Sequence, residues 1–183
     1  MVKEPENISI RGFWVGTRVP NLVIIVFTQF ITTYCLVRQD LSIPEILTDL
    51  DLLLVIASTT MVAAAGYLIN DYFDVKIDYV NKPERVVVGK LLKRRVVLVV
   101  YQIFNVLALL IGMYVGWKIL VFHLASISLL WFYSHELKRH PLIGNIVIGL
   151  LTAASLAIIA VYYGSYSLIF WIYSLFAFFF TVI

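Results

Sequence analysis

Charged residues divide this chain into long apolar runs. None occurs between Arg18 and Arg38, between Asp51 and Asp71, or between Arg95 and Lys118, and each gap approaches the ~20 apolar residues that cross a bilayer as a helix. A shorter uncharged run from Ile119 to Ser134 carries one histidine, His123. From Pro141 to Ile183 there is no charged residue, and that stretch is long enough for two helices, with Gly164, Ser165, Tyr166 and Ser167 as the turn between them. The pattern predicts an all-α, multi-pass transmembrane bundle of five complete spans and a sixth beginning near Leu168. The last run ends in FAFFFTVI without interfacial anchors or a charged tail. The expectation is therefore a single domain, residues 1–183, belonging to a longer protein.

Composition narrows the class. The chain is 62% hydrophobic and 14% charged, against roughly 25% charged in a soluble domain, so a water-soluble fold is excluded. The single cysteine, Cys35, lies within the first span, which rules out an intrachain disulfide and supplies no redox or metal motif. That first span follows a basic N-terminus, but no small-residue cleavage site precedes Arg38, and it is expected to remain as an anchor. The net charge of +3 reflects topology and not nucleic-acid binding. All of the 14 lysines and arginines except Arg38 and Lys118 fall before the first span, after the second or after the fourth. The positive-inside rule then places the N-terminus and both basic loops in the cytoplasm. The expected location is a bacterial or archaeal cytoplasmic membrane.

Chemistry concentrates at the cytoplasmic end of the second span, in GYLINDYFDVKIDYVNKPERVVVGKLLKRR. If the helix continues through it, steps of about 100° per residue place Asn70, Asp74 and Asp78 one turn apart with Asp71 alongside, on one face. Carboxylates so placed repel one another and are costly near a membrane unless a cation sits among them. Magnesium suits such a set, because it prefers oxygen ligands and is typically held by one or two carboxylates while substrate phosphates complete its shell. The cations that follow, Lys82, Arg85, Lys90, Lys93, Arg94 and Arg95, can stabilise a departing diphosphate. His123, His135 and His140 have no metal-ligand spacing and are read as interfacial or structural, while Gln102 and Asn105 in the third span are read as interhelical hydrogen bonders.

At this motif the chain resembles the UbiA superfamily of intramembrane prenyltransferases, whose first aspartate-rich motif reads N-D-x-x-D-x-x-x-D and is matched by Asn70, Asp71, Asp74 and Asp78. The following loop is similar to that family's N-x-P-x-R-P segment at Asn81, Pro83, Arg85, Gly89 and Lys90, with Val86 in place of the second proline. A second resemblance, Y-S-x-x-L-K-R-x-P-x-x-G-N, is carried by Tyr133, Ser134, Leu137, Lys138, Arg139, Pro141, Gly144 and Asn145, and a weaker third by Arg18, Pro20 and Asn21. The resemblance implies a nine-helix fold, of which about six helices are represented, with a second aspartate-rich motif after the sixth. No Asp follows Asp78 here.

What the resemblance implies for chemistry is a magnesium-dependent prenyltransferase. Asp71, Asp74 and Asp78 would be catalytic and, with Asn70, would hold Mg2+. Arg85, Lys90, Lys138 and Arg139 would bind the diphosphate of a polyprenyl donor, and Tyr133, Ser134 and Asn21 would line the site for donor or acceptor. The acceptor would be a lipid or aromatic compound within the membrane. The motif wording looks closest to members that alkylate glycerol-phosphate lipids with geranylgeranyl groups, with quinone-precursor and chlorophyll or haem prenylating members as further possibilities. A CDP-alcohol phosphatidyltransferase is excluded because its D-G-x-x-A-R opening is absent. A cation transporter would carry its acids near the midplane on broken helices, whereas these lie at a helix end. The remaining alternative is a non-catalytic chain that keeps half of a two-motif metal site and is inactive by itself.

Overall fold

The computed structural model describes residues 9–81 and 83–182. Lys3, Lys82 and the side chain of Arg85 therefore lie outside the described part. The chain forms helices α1 (Ile10–Gly16), α2 (Val19–Thr32), α3 (Ile43–Thr48), α4 (Leu50–Asn81), α5 (Arg94–Val115), α6 (Trp117–His135), α7 (Pro141–Tyr163) and α8 (Leu168–Val182). Among the described residues there is no strand, only an isolated bridge between Val88 and Leu92. Five stretches are long and apolar enough to cross a membrane: Val19–Val37, Leu50–Asn81, Arg94–Val115, Trp117–His135 and Leu142–Tyr163. The protein is thus an all-α, multi-pass integral membrane bundle, and the apolar runs of the sequence correspond to its spans.

Local chemistry sets the helix ends. Ser9 caps α1 by accepting the Gly12 N–H at 3.1 Å, and Ser42 with Glu45 forms a capping box at α3. Pro20 and Pro141 stand in the first turns of α2 and α7, where a missing N–H costs nothing. Helix α7 stops at Gly164, whose φ of 65° is open to glycine without penalty. Helix α2 widens into a π turn over Thr33–Val37, with the Arg38 N–H reaching Thr33 O at 2.8 Å. That turn delivers Arg38 to a position 5.0 Å from the Tyr163 ring centroid.

Helix α4 is the most buried span and the axis of the bundle. Two apolar clusters hold it. At the end away from the acids, Leu52, Val55 and Ile56 pack with Ile46, Ile119, Ile158 and Ile159 from α3, α6 and α7. At the other end, Leu68 and Val75 pack with Val87, Val88, Leu92 and Val97. The segment between α4 and α5, read from sequence as a basic loop, is therefore folded into the core through its valines. Burial is worth about 1.5–3 kcal/mol per such side chain, which fixes the segment although its flanks are charged. Gly89, at φ 88°, turns it so that the Gly89 N–H meets Leu92 O at 2.7 Å. Helix α1 then docks on it through Gly12, where an added Cβ would stand 2.7 Å from the Leu91 Cβ.

Candidate functional site

The acids occupy the last turns of α4, and two of them, Asp71 and Asp74, meet a cation from another element. Arg18, at the start of α2, donates from Nη2 to Asp71 Oδ1 at 3.1 Å and lies 4.8 Å from the Tyr67 ring centroid. Lys138, between α6 and α7, places Nζ 2.6 Å from Asp74 Oδ1 and also donates to Asn70 Oδ1 at 3.3 Å. Asn70 Nδ2 in turn donates to Asp74 Oδ2 at 3.0 Å. The triangle of Asn70, Asp74 and Lys138 closes because Gly144, in the first turn of α7, lets the Lys138 backbone approach; an added Cβ there would stand 3.3 Å from Lys138 Cα.

The helical arc anticipated from the spacing is present, but it faces three cavities and not one. Asn70 lines an apolar cavity of about 360 Å³ with Arg18, Asn21, Tyr67 and Tyr133 at its polar mouth. Asp71 and Asp78 line a polar cavity of about 550 Å³ with Arg11, Arg18 and Glu84. Asp74 lines a third, of about 320 Å³, with Ser134, Lys138 and Arg139. Arg18 borders both of the first two. The Ser134 hydroxyl is buried and has no protein partner among the described residues, so it is available to a ligand oxygen beside Lys138.

Other residues singled out from sequence are distributed differently. Asn21 is exposed at the mouth of the apolar cavity, with Nδ2 3.5 Å from the Tyr67 hydroxyl. Lys90 donates to Pro83 O at 2.6 Å and sits 5.5 Å from the Tyr79 ring centroid, within its own loop and not among the residues lining the acid cavities. Arg85 belongs to the short turn Pro83–Arg85. Arg11 and Glu84, which sequence reasoning did not select, line the polar cavity; nothing in their spacing marks them, since chain folding alone brings α1 onto the loop. His123 is buried inside the bundle and not interfacial. Asn105 is buried within α5 while Gln102 is exposed.

The residues fit a hard cation of the magnesium type. All four donors of the motif offer oxygen, and Asp71 and Asp78 share one polar cavity with two arginines able to flank phosphate. Among the described residues no group of three His, Cys, Asp or Glu side chains is gathered closely enough to hold an ion. Asp71 and Asp78 are a pair of carboxylates in one cavity, and magnesium is typically held by one or two carboxylates while phosphate oxygens supply the rest of the shell.

The model of the UbiA prenyltransferase family matches residues 23–183. The digeranylgeranylglyceryl phosphate synthase of Sulfurisphaera tokodaii is 28% identical over 180 residues, covering 95% of this chain and 61% of that protein. The Pyrococcus abyssi protein of the same name is 40% identical over 92 residues, 50% of this chain and 33% of that one. The chain thus spans less than two thirds of the length of these relatives. A solved structure from a study of the biosynthesis of digeranylgeranylglyceryl phosphate synthase in membranes shares the fold, with a TM-score of 0.76 at 23% identity over 94% of this chain and 58% of that chain.

Proposed function

We propose, from the premise that this chain belongs to the UbiA prenyltransferase family, that it provides the donor site of an intramembrane enzyme that moves a polyprenyl group from an allylic diphosphate to a lipid acceptor. The observation that carries this reading is the junction at Asn70 and Arg18, where an apolar cavity opens directly onto the acid motif and its cations. An isoprenoid diphosphate has the same division, a hydrocarbon tail and a polyanionic head. The names of the relatives favour a geranylgeranyl donor and a glycerol-phosphate lipid acceptor already bearing one such group.

In this reading the tail lies in the apolar cavity and the diphosphate lies among Arg18, Lys138, Arg139 and the Ser134 hydroxyl. Asn70, Asp71, Asp74 and Asp78 would hold Mg2+, which when bound supplies charge neutralisation for the leaving diphosphate. The bond between the allylic carbon and the diphosphate oxygen breaks, with both electrons leaving on oxygen, and Lys138 and Arg18 stabilise the charge that develops there. The cavity keeps water from the allylic cation, and Tyr67 and Tyr133 line it, aromatic rings being able to stabilise positive charge. An acceptor hydroxyl oxygen forms the new bond to carbon, and its proton passes to the departing diphosphate. The basic segments after α4 and α6 support a cytoplasmic position for this end of the bundle.

The test is transfer of labelled geranylgeranyl diphosphate to geranylgeranylglyceryl phosphate by the full native protein in its membranes, with and without EDTA. Labelled ether lipid that forms only with added magnesium supports the reading; no transfer under any condition overturns it.

A further inference from the structure

The apolar cavity has a built end, and this inference rests on the donor reading just given. From Asn70 at the mouth, Gly66, Val62 and Thr59 line the wall formed by α4. Asn70 and Thr59 are eleven residues apart, about 16 Å along a helix. At the level of Thr59 the space is lined by Phe122, His123 and Ile158, and beyond them lies the packed cluster of Leu52, Val55, Ile56, Ile119 and Ile159. A chain entering at Asn70 therefore runs into solid protein near this layer.

His123 is the unusual member of that layer. It is 1% exposed, and its Nε2 lies 2.8 Å from Ser58 Oγ. Ser58 Oγ is also 2.9 Å from Val55 O, to which it can donate; with that bond made, the imidazole Nε2–H donates to Ser58 Oγ, and with either tautomer the contact holds the ring plane. Gly112 of α5 supports the ring from behind: an added Cβ there would be 3.4 Å from His123 Cδ2 and 3.0 Å from Leu120 Cα. A leucine or methionine at this place could rotate away from an advancing hydrocarbon. An imidazole tied to a buried hydroxyl cannot do so without leaving polar atoms unpaired.

We propose that the His123–Ser58 pair is the end stop that sets the length of the prenyl chain this protein accepts. Thr59 and Phe122 complete the stop, and the distance from the acid motif to this layer defines the longest donor that fits with its diphosphate on Lys138 and Arg18.

The experiment compares geranyl, farnesyl, geranylgeranyl and geranylfarnesyl diphosphates as donors for the full protein in membranes. The wild type is expected to lose about tenfold or more in kcat/KM beyond its preferred length, since even one methylene too many is worth about tenfold in a filled pocket. His123→Ala shifts the preference to the next longer donor, and Thr59→Phe, which adds bulk to the cavity wall without touching the His123–Ser58 bond, shifts it to the next shorter. A purely structural role would lower activity with all donors alike. Variants that insert and transfer with the wild-type preference overturn the stop while leaving the transferase reading standing, and Thr59→Phe alone decides the matter if His123→Ala does not accumulate. A wild type that transfers none of the four overturns both.

Discussion

Lys138 Nζ stands 2.6 Å from Asp74 Oδ1, and both side chains are mostly shielded from solvent, at 16% and 22% exposure. The connection between α6 and α7 thereby closes on the acid motif of α4, and two sequence motifs separated by a whole helical hairpin become one electrostatic unit.

Removing one partner of that unit leaves the other uncompensated. Lys138→Met is expected to destabilise the protein by about 1–3 kcal/mol and to reduce transfer by about 100-fold. In the double variant with Asp74→Asn the stability loss is largely recovered while transfer is not, giving a coupling of about 0.5–3 kcal/mol. Thermal unfolding in detergent measures the cycle; strictly additive losses would show that the pair is not coupled.

Asp71 and Asp78 share a polar cavity, so their loss is expected to show in the metal requirement. Asp71→Asn, Asp74→Asn and Asp78→Asn each lower transfer by about 100-fold or more, with membrane insertion intact. Magnesium titration of transfer, alongside carbonate extraction of membranes, checks this. Unchanged turnover with Asp74→Asn would remove the metal role from the motif.

Arg18 combines an ion pair with a backbone at φ 53°, in the left-handed region. That conformation costs a residue with a Cβ about 1–2 kcal/mol, so Arg18→Gly trades relief of strain for loss of the pair with Asp71. Stability is expected to stay within about 1 kcal/mol of wild type while transfer falls sharply. Arg18→Ala, which keeps the strain, is expected to melt lower than Arg18→Gly.

At the opposite end, Asp49 receives the Tyr163 hydroxyl at 2.9 Å, the Tyr162 hydroxyl at 3.2 Å and the Leu52 N–H at 3.0 Å. It caps α4 and ties it to the end of α7. Asp49→Ala is expected to cost about 2–3 kcal/mol, a cap plus hydrogen bonds to a charged group, with the donor preference unaltered. Equal melting of variant and wild type would show that the clasp does not hold the helices.

The spans were legible because charge is so costly in hydrocarbon that its absence marks each helix, and the bounds at Arg18, Arg38, Asp51 and Lys118 fall within a few residues of helix ends. The arc of Asn70, Asp71, Asp74 and Asp78 was legible from helical spacing alone. Its division among three cavities was not, because that depends on which residues of α1, α2 and the α6–α7 connection arrive between the acids. The burial of Val86, Val87 and Val88 was hidden by the lysines and arginines around them. The His123–Ser58 bond joins α6 to α4, and no local pattern specifies such a partner.

Helix α4 has 32 residues, about 48 Å of length, against the ~30 Å of a bilayer's hydrocarbon. Its surplus carries the acids up to the level of the headgroups, while the cavity beside it descends into the acyl chains. The proposed prenyl diphosphate donor, lying in that leaflet, would have its head and tail at the corresponding depths. Entry sideways in the plane of the membrane would then neither expose its hydrocarbon to water nor carry its charge through oil.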